Sequence, residues 1–265
     1  MGIAKRNDSK GDFIMVHIVG AGPGDPELIT RKGARLLAEA DVVIYAGSLV
    51  NPALLDLCKE GAQIHDSAGM TLADVLAVVD QAEAKGQMTV RLHTGDPAVY
   101  GAIQEQMDAW RKKGIRCDVT PGVSSCFAAA ATLCQEYTLP GITQTLIITR
   151  GAGRTAVPQG EELRSLAQHG ATMCIYLSVS MIDDVAKELI AGGYEKDTPI
   201  AVVQRASWPD EKIVRGTLAD IAEKVKSENI TRQAMIVVSR CLGADYELSR
   251  LYAPEFSHGY RQASK

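Results

Sequence analysis

Three glycine-bearing segments each follow a run of apolar residues, and segments of this kind can hold a small charged ligand. They read Gly20-Ala21-Gly22-Pro23-Gly24-Asp25, Thr94-Gly95-Asp96-Pro97-Ala98-Val99-Tyr100-Gly101 and Thr120-Pro121-Gly122-Val123-Ser124-Ser125. Glycine turns let backbone groups approach a ligand closely, and N–H groups at a helix start can hold a carboxylate. Ligands of open α/β sheets bind beyond the carboxyl ends of the strands. If the apolar runs are strands of one such sheet, the three segments predict one binding site.

The first loop also suggests a nicotinamide dinucleotide site, which its spacing does not favour. The dinucleotide fingerprint is Gly-x-Gly-x-x-Gly, whereas the spacing here is Gly-x-Gly-x-Gly and Pro23 interrupts the turn. The fingerprint also needs an acidic residue at the end of the second strand. The candidate at the right distance, Asp41, opens that strand, so its carboxylate would lie at the wrong edge of the sheet. A nicotinamide oxidoreductase and a tight turn without a ligand are the alternatives for this loop taken alone.

The segments that must position these loops alternate between strand and helix patterns in the first half of the chain. Strands are predicted at 14–19, 41–45, 62–65, 88–93 and 116–120, and helices at 30–40, 52–58, 71–85, 103–113 and 123–134. This alternation predicts a mostly parallel sheet flanked by helices. The stretch from 135 to 143 contains Pro140-Gly141 and has no clear period, which indicates a domain boundary.

In the second half, strand patterns follow one another more often, which predicts a mixed sheet. Strands are predicted at 145–149, 172–178, 199–204, 212–215 and 233–239, and helices near 161–168, 181–191 and 218–227. The predicted fold is therefore two α/β domains. The predicted parts are an N-terminal extension at 1–13, a mostly parallel domain at 14–138, a mixed domain at 139–243 and a tail at 244–265.

The composition of the 265 residues limits the partners and the compartment. A net charge of −4 is not the basic signature of a nucleic-acid partner. No apolar run approaches the roughly eighteen residues that span a bilayer, and the polar N-terminus lacks the apolar core of a secretory signal. None of the six cysteines forms a Cys-x-x-Cys pair, which favours buried, reduced thiols over disulfides or zinc. We expect a cytoplasmic protein with no nucleic-acid, membrane or metal partner.

The three loops, in this order and at this spacing, resemble the tetrapyrrole (corrin and porphyrin) methyltransferase family. That family has a Gly-x-Gly-x-Gly-Asp loop, a Gly-Asp-Pro loop and a Pro-Gly-x-Ser/Thr turn. The resemblance continues in the second half of the chain and covers Met15 to Leu242. The segments that carry it there are 143–145, 149–155, 205–211 and 215–218.

Within the family, some segments resemble one branch in particular. Segments 45–49, 101–106 and 208–211 are typical of enzymes that methylate C-11 of a corrin intermediate in cobalamin biosynthesis. The tail segments 249–252 and 256–258 resemble the version that acts on the cobalt-bearing intermediate. The version that acts on the metal-free intermediate shares most of these motifs and is the alternative.

The resemblance implies that the cofactor is S-adenosylmethionine, held folded in an active-site cleft between the two domains, and that the protein is a homodimer. Carried onto the matching positions, the expected cofactor contacts are Pro23, Gly95, Asp96, Val99, Ser124, Ser125, Leu177, Ala206 and Ala234. Asp96 is the charged member of this set and could accept hydrogen bonds from a ribose or an amino group. The alternative role of its carboxylate is to cap the following helix.

The resemblance also implies a small-molecule tetrapyrrole substrate that carries many acetate and propionate groups, which arginine matches with its planar fork. Arg150 and Arg154, on either side of a glycine-rich turn, are expected substrate contacts, and His93 and Tyr100 are further candidates. The methyl donor is itself electrophilic and no Ser-His-Asp arrangement is visible, so alignment is expected to supply the rate and no catalytic residue is predicted. Two alternatives are a protein that binds these ligands without turnover and a relative that methylates a protein or RNA.

Overall fold

The computed structural model describes residues 15–243, 246–249, 251 and 253–263. The predicted N-terminal extension at 1–13 lies outside the described residues, as do parts of the predicted tail. The chain folds into two compact units, of which the first ends at Ser124 and the second begins at Ser125.

The first unit contains a five-stranded sheet in which every strand pairing is parallel. Its strands are β1 (Met15–Gly20), β2 (Val42–Tyr45), β3 (Gln63–Asp66), β4 (Thr89–His93) and β5 (Arg116–Thr120), in the order β3-β2-β4-β1-β5. Its α-helices are α1 (Arg31–Glu39), α2 (Leu72–Ala84) and α3 (Ile103–Lys112). Short 3-10 helices occupy Pro26–Leu28, Gly47–Leu49, Pro52–Leu57 and Ser67–Gly69. The predicted mostly parallel sheet is confirmed, and the predicted helix at 52–58 is a 3-10 helix.

Local signals explain where these helices begin and why the central strands are buried. The Thr30 hydroxyl accepts a hydrogen bond from the Gly33 N–H at 3.0 Å and starts α1. On one face of the sheet, Val19 and Leu92 pack in a single apolar cluster. On the other face, Ile18 packs in a cluster with Trp110 of α3. Because β1 and β4 are covered on both faces, their loops leave the sheet from a rigid base.

The second unit contains a mixed five-stranded sheet. Its strands are β6 (Leu146–Arg150), β7 (Thr172–Tyr176), β8 (Pro199–Gln204), β9 (Lys212–Thr217) and β10 (Ala234–Val238), in the order β6-β7-β10-β8-β9. Its α-helices are α4 (Ser125–Leu133), α5 (Leu163–Ala167), α6 (Ile182–Ala191) and α7 (Ile221–Ser227). The β6–β7 pair is parallel and the remaining pairs are antiparallel, which confirms the predicted mixed sheet.

The boundary between the units lies earlier in the chain than the predicted boundary between residues 138 and 139, because α4 belongs to the second unit. Ala129 of α4 is buried in one cluster with Val203 of β8 and Val237 of β10. The Thr132 hydroxyl also donates to a carboxylate oxygen of Glu211 at 2.7 Å. The sequence places α4 at the end of the first alternation, but its apolar surface is buried on the second sheet.

The remaining sequence expectations concern thiols and membrane spans. The six cysteines are free, and Cys126, Cys174 and Cys241 are buried. A hydrogen bond with the Cys126 thiol, together with burial, raises the pKa of Cys174 above its usual value. Among the described residues, no helix combines the length and apolar character needed to cross a membrane.

Candidate functional site

The three glycine-bearing loops leave adjacent strands of the first sheet at the same edge. Strand β1 lies between β4 and β5, so the loops after Gly20, His93 and Thr120 are neighbours. The first two loops are joined by backbone hydrogen bonds: Gly95 N–H donates to the Gly22 carbonyl at 2.8 Å, and Gly22 N–H donates to the Gly95 carbonyl at 3.3 Å. The structure therefore confirms that these loops come together within the first unit.

Glycine is required here because three backbones meet at close range. A Cβ on Gly122 would lie 2.1 Å from the Gly95 carbonyl oxygen, and a Cβ on Gly20 would lie 2.6 Å from the same oxygen. Gly22 and Gly95 also adopt φ values of +80° and +60°, in the left-handed region that favours glycine. These glycines hold the three loops in one fixed arrangement.

The Asp96 carboxylate links the second loop to the third. One carboxylate oxygen accepts from the Ala98 N–H at 2.8 Å, and the other accepts from the Gly122 N–H at 2.9 Å. A carboxylate has about four acceptor positions, so these two bonds leave capacity for a ligand donor. The bond to Gly122 is a positioning role that sequence reasoning missed. The contact between Asp96 and the cofactor stays a prediction.

The other predicted contacts of the first unit differ in exposure. Pro23 and Ser124 are buried, Val99 is half-buried and Tyr100 is 46% exposed. Ser125 is half-buried and is the first residue of α4, so it belongs to the second unit. The structure thus places Pro23, Val99 and Ser124 with Gly95 and Asp96 in the loops at one sheet edge.

The predicted contacts of the second unit also share one sheet edge. In the antiparallel pairing of β8 and β10, Gln204 lies opposite Ala234, and Ala206 follows two residues after Gln204. On its other side, β10 pairs with β7. Leu177 directly follows β7. The Arg205 N–H donates to the Gln233 carbonyl at 2.8 Å and ties this edge together. Leu177, Ala206 and Ala234 are therefore neighbours within the second unit.

Backbone strain concentrates at these two edges. Among the described residues, eight non-glycine residues have positive φ, and six of them lie in or directly beside the loops just described: Tyr100, Ala102, Leu177, Arg205, Ser207 and Gln233. Each such residue costs about 1–3 kcal/mol, and such residues cluster at ligand clamps and active sites. The strain marks both edges as candidate ligand-binding surfaces.

The two arginines predicted to contact substrate occupy different environments. The Arg150 guanidinium folds back onto its own loop and donates to the carbonyls of Gly151, Thr155 and Ala156 at 3.2, 3.1 and 2.7 Å. Arg154 lies inside that loop and is exposed. Arg150 therefore shapes the loop that presents Arg154. The contact of either arginine with substrate stays a prediction.

His93 is buried at the end of β4 and lies on the same face of the sheet as Arg91. Burial, together with the charge of Arg91, lowers the pKa of His93 from 6.5 to about 3. The imidazole is therefore neutral near pH 7, and in that form one ring nitrogen can donate a hydrogen bond. Burial also lowers the pKa of Arg91 to about 10.

Asp41 lies where the sequence predicted, at the opposite edge of the first sheet from the glycine loops. It precedes β2 and accepts from the Lys59 ammonium at 2.6 Å and from the Met88 N–H at 2.7 Å. The hydrogen bond from Lys59 is the main reason that the pKa of Asp41 is lowered. Its carboxylate cannot meet a ribose beyond the carboxyl ends of the strands, which argues against a nicotinamide site.

The arrangement is suited to binding and orienting a ligand. Within the described part of the chain, no group of histidine, cysteine, aspartate and glutamate side chains could hold a metal ion. The first unit offers tightly held backbone groups, the Asp96 carboxylate, and the buried side chains of Arg91 and His93. The second offers small and apolar residues beside an arginine-bearing loop.

Comparisons with known proteins find a matching family and similar solved structures. The family model described as Tetrapyrrole (Corrin/Porphyrin) Methylases matches residues 15–222. The chain is 57% identical over 251 residues to a cobalt-precorrin-4 C(11)-methyltransferase of Methanocaldococcus jannaschii, covering 94% of this chain and 97% of the relative. It is similar to a solved cobalt precorrin-4 methyltransferase of cobalamin biosynthesis, with a TM-score of 0.85 and 47% identity, covering 87% of this chain and 96% of that chain. A Thermus thermophilus uroporphyrin-III C-methyltransferase complexed with S-adenosylhomocysteine gives a TM-score of 0.73 at 30% identity, covering 86% and 93% of the two chains.

Proposed function

The chain belongs to the tetrapyrrole (corrin/porphyrin) methylase family, and we propose that it transfers a methyl group from S-adenosylmethionine to C-11 of cobalt-precorrin-4, giving cobalt-precorrin-5A. The observation that carries this proposal is the 57% identity, over nearly the full length of both chains, to a relative named for that reaction. The joined glycine loops support it, because they contain the family motifs in a single fixed arrangement.

The cofactor fits the residues present. Buried glycine backbones, small side chains and one carboxylate suit a nucleoside with an amino-acid tail, and a solved relative is complexed with the demethylated cofactor. The contacts we propose are Pro23, Gly95, Asp96, Val99, Ser124, Ser125, Leu177, Ala206 and Ala234. Asp96 accepts a cofactor donor while its backbone bonds hold the second and third loops together.

When bound, the cofactor supplies an electrophilic methyl group. The protein then needs to align the acceptor carbon with that methyl group and to exclude water, and orientation of this kind is worth roughly 7–11 kcal/mol. The close glycine contacts help to align the ligand, because loops joined by backbone hydrogen bonds hold it in one position. Arg150, Arg154, His93 and Tyr100 remain the proposed substrate contacts, with Arg154 presented by the loop that Arg150 closes.

The test uses methyl-labelled S-adenosylmethionine with cobalt-precorrin-4 and, in parallel, with metal-free precorrin-4. We expect the label on C-11 of the product, located by NMR, with faster turnover of the cobalt form. Faster turnover of the metal-free form would assign the protein to the other version of the reaction. Binding of both ligands with the label left on the cofactor would show a binding protein, and label in added protein or RNA would overturn the proposal.

We further propose that the enzyme is a cytoplasmic homodimer. The resemblance to the family supports this assembly. Light scattering at micromolar concentration is expected to give twice the mass of one 28.4 kDa chain. The mass of a single chain would contradict it.

A further inference from the structure

Arg91 and His93 form a buried pair of side chains at the end of β4, directly before the second glycine loop. They are two residues apart on β4, so their side chains lie on the same face of the sheet. Arg91 is 7% exposed and His93 is 5% exposed. His93 is the last residue of β4 and directly precedes Thr94-Gly95-Asp96. The pair therefore lies next to loops that carry proposed cofactor contacts.

The charge of Arg91 is not neutralised by the described residues around it. Its Nε donates to the Gln106 side-chain oxygen at 3.2 Å, and its Nη1 donates to the Ile44 carbonyl at 3.1 Å. Gln106 is held in turn by its own bond to the Ala102 carbonyl at 3.0 Å. Both acceptors of Arg91 are neutral, and no ion pair forms between Arg91 and any carboxylate in the described part of the chain. A buried cation without a counter-ion is costly, because neutral acceptors replace only part of its lost hydration.

His93 adds a second unsatisfied group beside this cation. Its Nε2 is buried and has no hydrogen-bond partner among the described residues. Buried polar atoms without a partner are rare in folded proteins, so each one calls for an explanation. A neutral imidazole protonated on Nε2 donates one hydrogen bond, and the adjacent guanidinium supplies positive charge.

We propose that Arg91 and His93 together recognise one carboxylate of a bound ligand, an inference that rests on the proposed function. A carboxylate supplies the negative charge that Arg91 lacks and the acceptor that His93 Nε2 lacks, so one group satisfies both residues. Two ligands of the proposed reaction carry this chemistry: the tetrapyrrole, through its acetate and propionate groups, and the cofactor, through its amino-acid end.

The experiment measures the affinity of three ligands for the full chain by calorimetry. The ligands are an octacarboxylate porphyrin, the same porphyrin with its carboxyls converted to primary amides, and S-adenosylhomocysteine. The variants are Arg91→Lys, Arg91→Met and His93→Gln. The matched control is Arg111→Met, which removes a positive charge from an exposed position of α3 where Arg111 pairs with Asp108. Melting curves identify any variant that fails to fold. Because Arg91→Lys and His93→Gln keep polar side chains of similar size, they carry the test if Arg91→Met is unfolded.

If the carboxylate belongs to the tetrapyrrole, we expect about ten- to a hundred-fold weaker binding of the octacarboxylate in Arg91→Met and His93→Gln. The amide and S-adenosylhomocysteine should then bind as to wild type. If it belongs to the cofactor, the loss should fall on S-adenosylhomocysteine instead. Unchanged affinity for both acids in every folded variant would overturn the inference while leaving the function intact. Failure of the wild type to bind either porphyrin would contradict the proposed substrate class, and the S-adenosylhomocysteine measurements would then decide the role of the pair.

Discussion

Replacing Gly122 with alanine should separate the three loops of the first unit. The new Cβ would lie 2.1 Å from the Gly95 carbonyl oxygen and 2.9 Å from Gly20 Cα, whereas real Cβ atoms essentially never approach within 3.0 Å. The loops must therefore move apart by about 0.9 Å. The positions that meet are backbone atoms, so no side chain can rotate to relieve the contact. The movement also weakens the hydrogen bond from the Gly122 N–H to the Asp96 carboxylate.

The expected cost follows from these two effects. Overpacking of a rigid site costs about 1–3 kcal/mol, and loss of a hydrogen bond to a charged group costs about 1.5–3 kcal/mol. Together they give a free-energy loss of about 2.5–6 kcal/mol. For a chain of this size that loss lowers the melting temperature by roughly 5–24 °C. Affinity for S-adenosylhomocysteine should also fall by at least about tenfold, because the second loop carries Gly95 and Asp96.

The matched control is Gly69→Ala, because Gly69 is exposed and a Cβ there meets no atom within 4 Å. Melting is followed by circular dichroism, and cofactor affinity by calorimetry with S-adenosylhomocysteine. Gly69→Ala should behave as wild type in both measurements. If Gly122→Ala matched Gly69→Ala in both, the close approach of the three loops would affect neither the stability of the fold nor the affinity for the cofactor.

Three further predictions test individual side chains. Asp96→Ala should lower the affinity for S-adenosylhomocysteine more than it lowers the melting temperature, whereas early melting with normal affinity would limit Asp96 to its two backbone bonds. Arg154→Ala and Arg150→Ala should each weaken tetrapyrrole binding by about ten- to a hundred-fold in a titration. Arg150→Ala should also increase proteolysis of the 151–156 loop, because its guanidinium holds that loop. Unchanged affinity in both variants would show that neither arginine contacts substrate. In the folded chain the pKa of His93 is lowered from 6.5 to about 3. As pH falls below 6.5, the unfolded chain therefore binds a proton at His93 before the folded chain does, and the free energy of unfolding decreases. In denaturant titrations at several pH values His93→Gln should lose less stability than wild type between pH 6.5 and 4, and parallel losses would show that His93 is not buried in the neutral form.

The strands whose boundaries the sequence predicts best are those with strong local signals. β5 (Arg116–Thr120) and β8 (Pro199–Gln204) have the predicted limits. Pro121-Gly122 ends the first strand, and Pro199 begins the apolar run of the second. Partners in space are harder to predict. The small residues of α4, such as Ala128 and Ala129, indicate a buried helix, but nothing in their spacing says which sheet covers them. The Arg150 contacts depend on the path of the following loop, which no periodic pattern encodes.

Residues whose strain or buried charge is not offset by local packing indicate function more directly than well-packed residues do. Leu177 adopts a φ of 55°, a conformation that a branched side chain avoids, and yet it is 72% exposed. It therefore gains little from packing that could offset the strain, and a glycine there would suit the fold better. Arg91 shows the same imbalance in another form, because its buried charge faces only neutral acceptors among the described residues. Both costs fall next to residues that the family resemblance assigns to ligands, and ligand contacts are what would compensate for them.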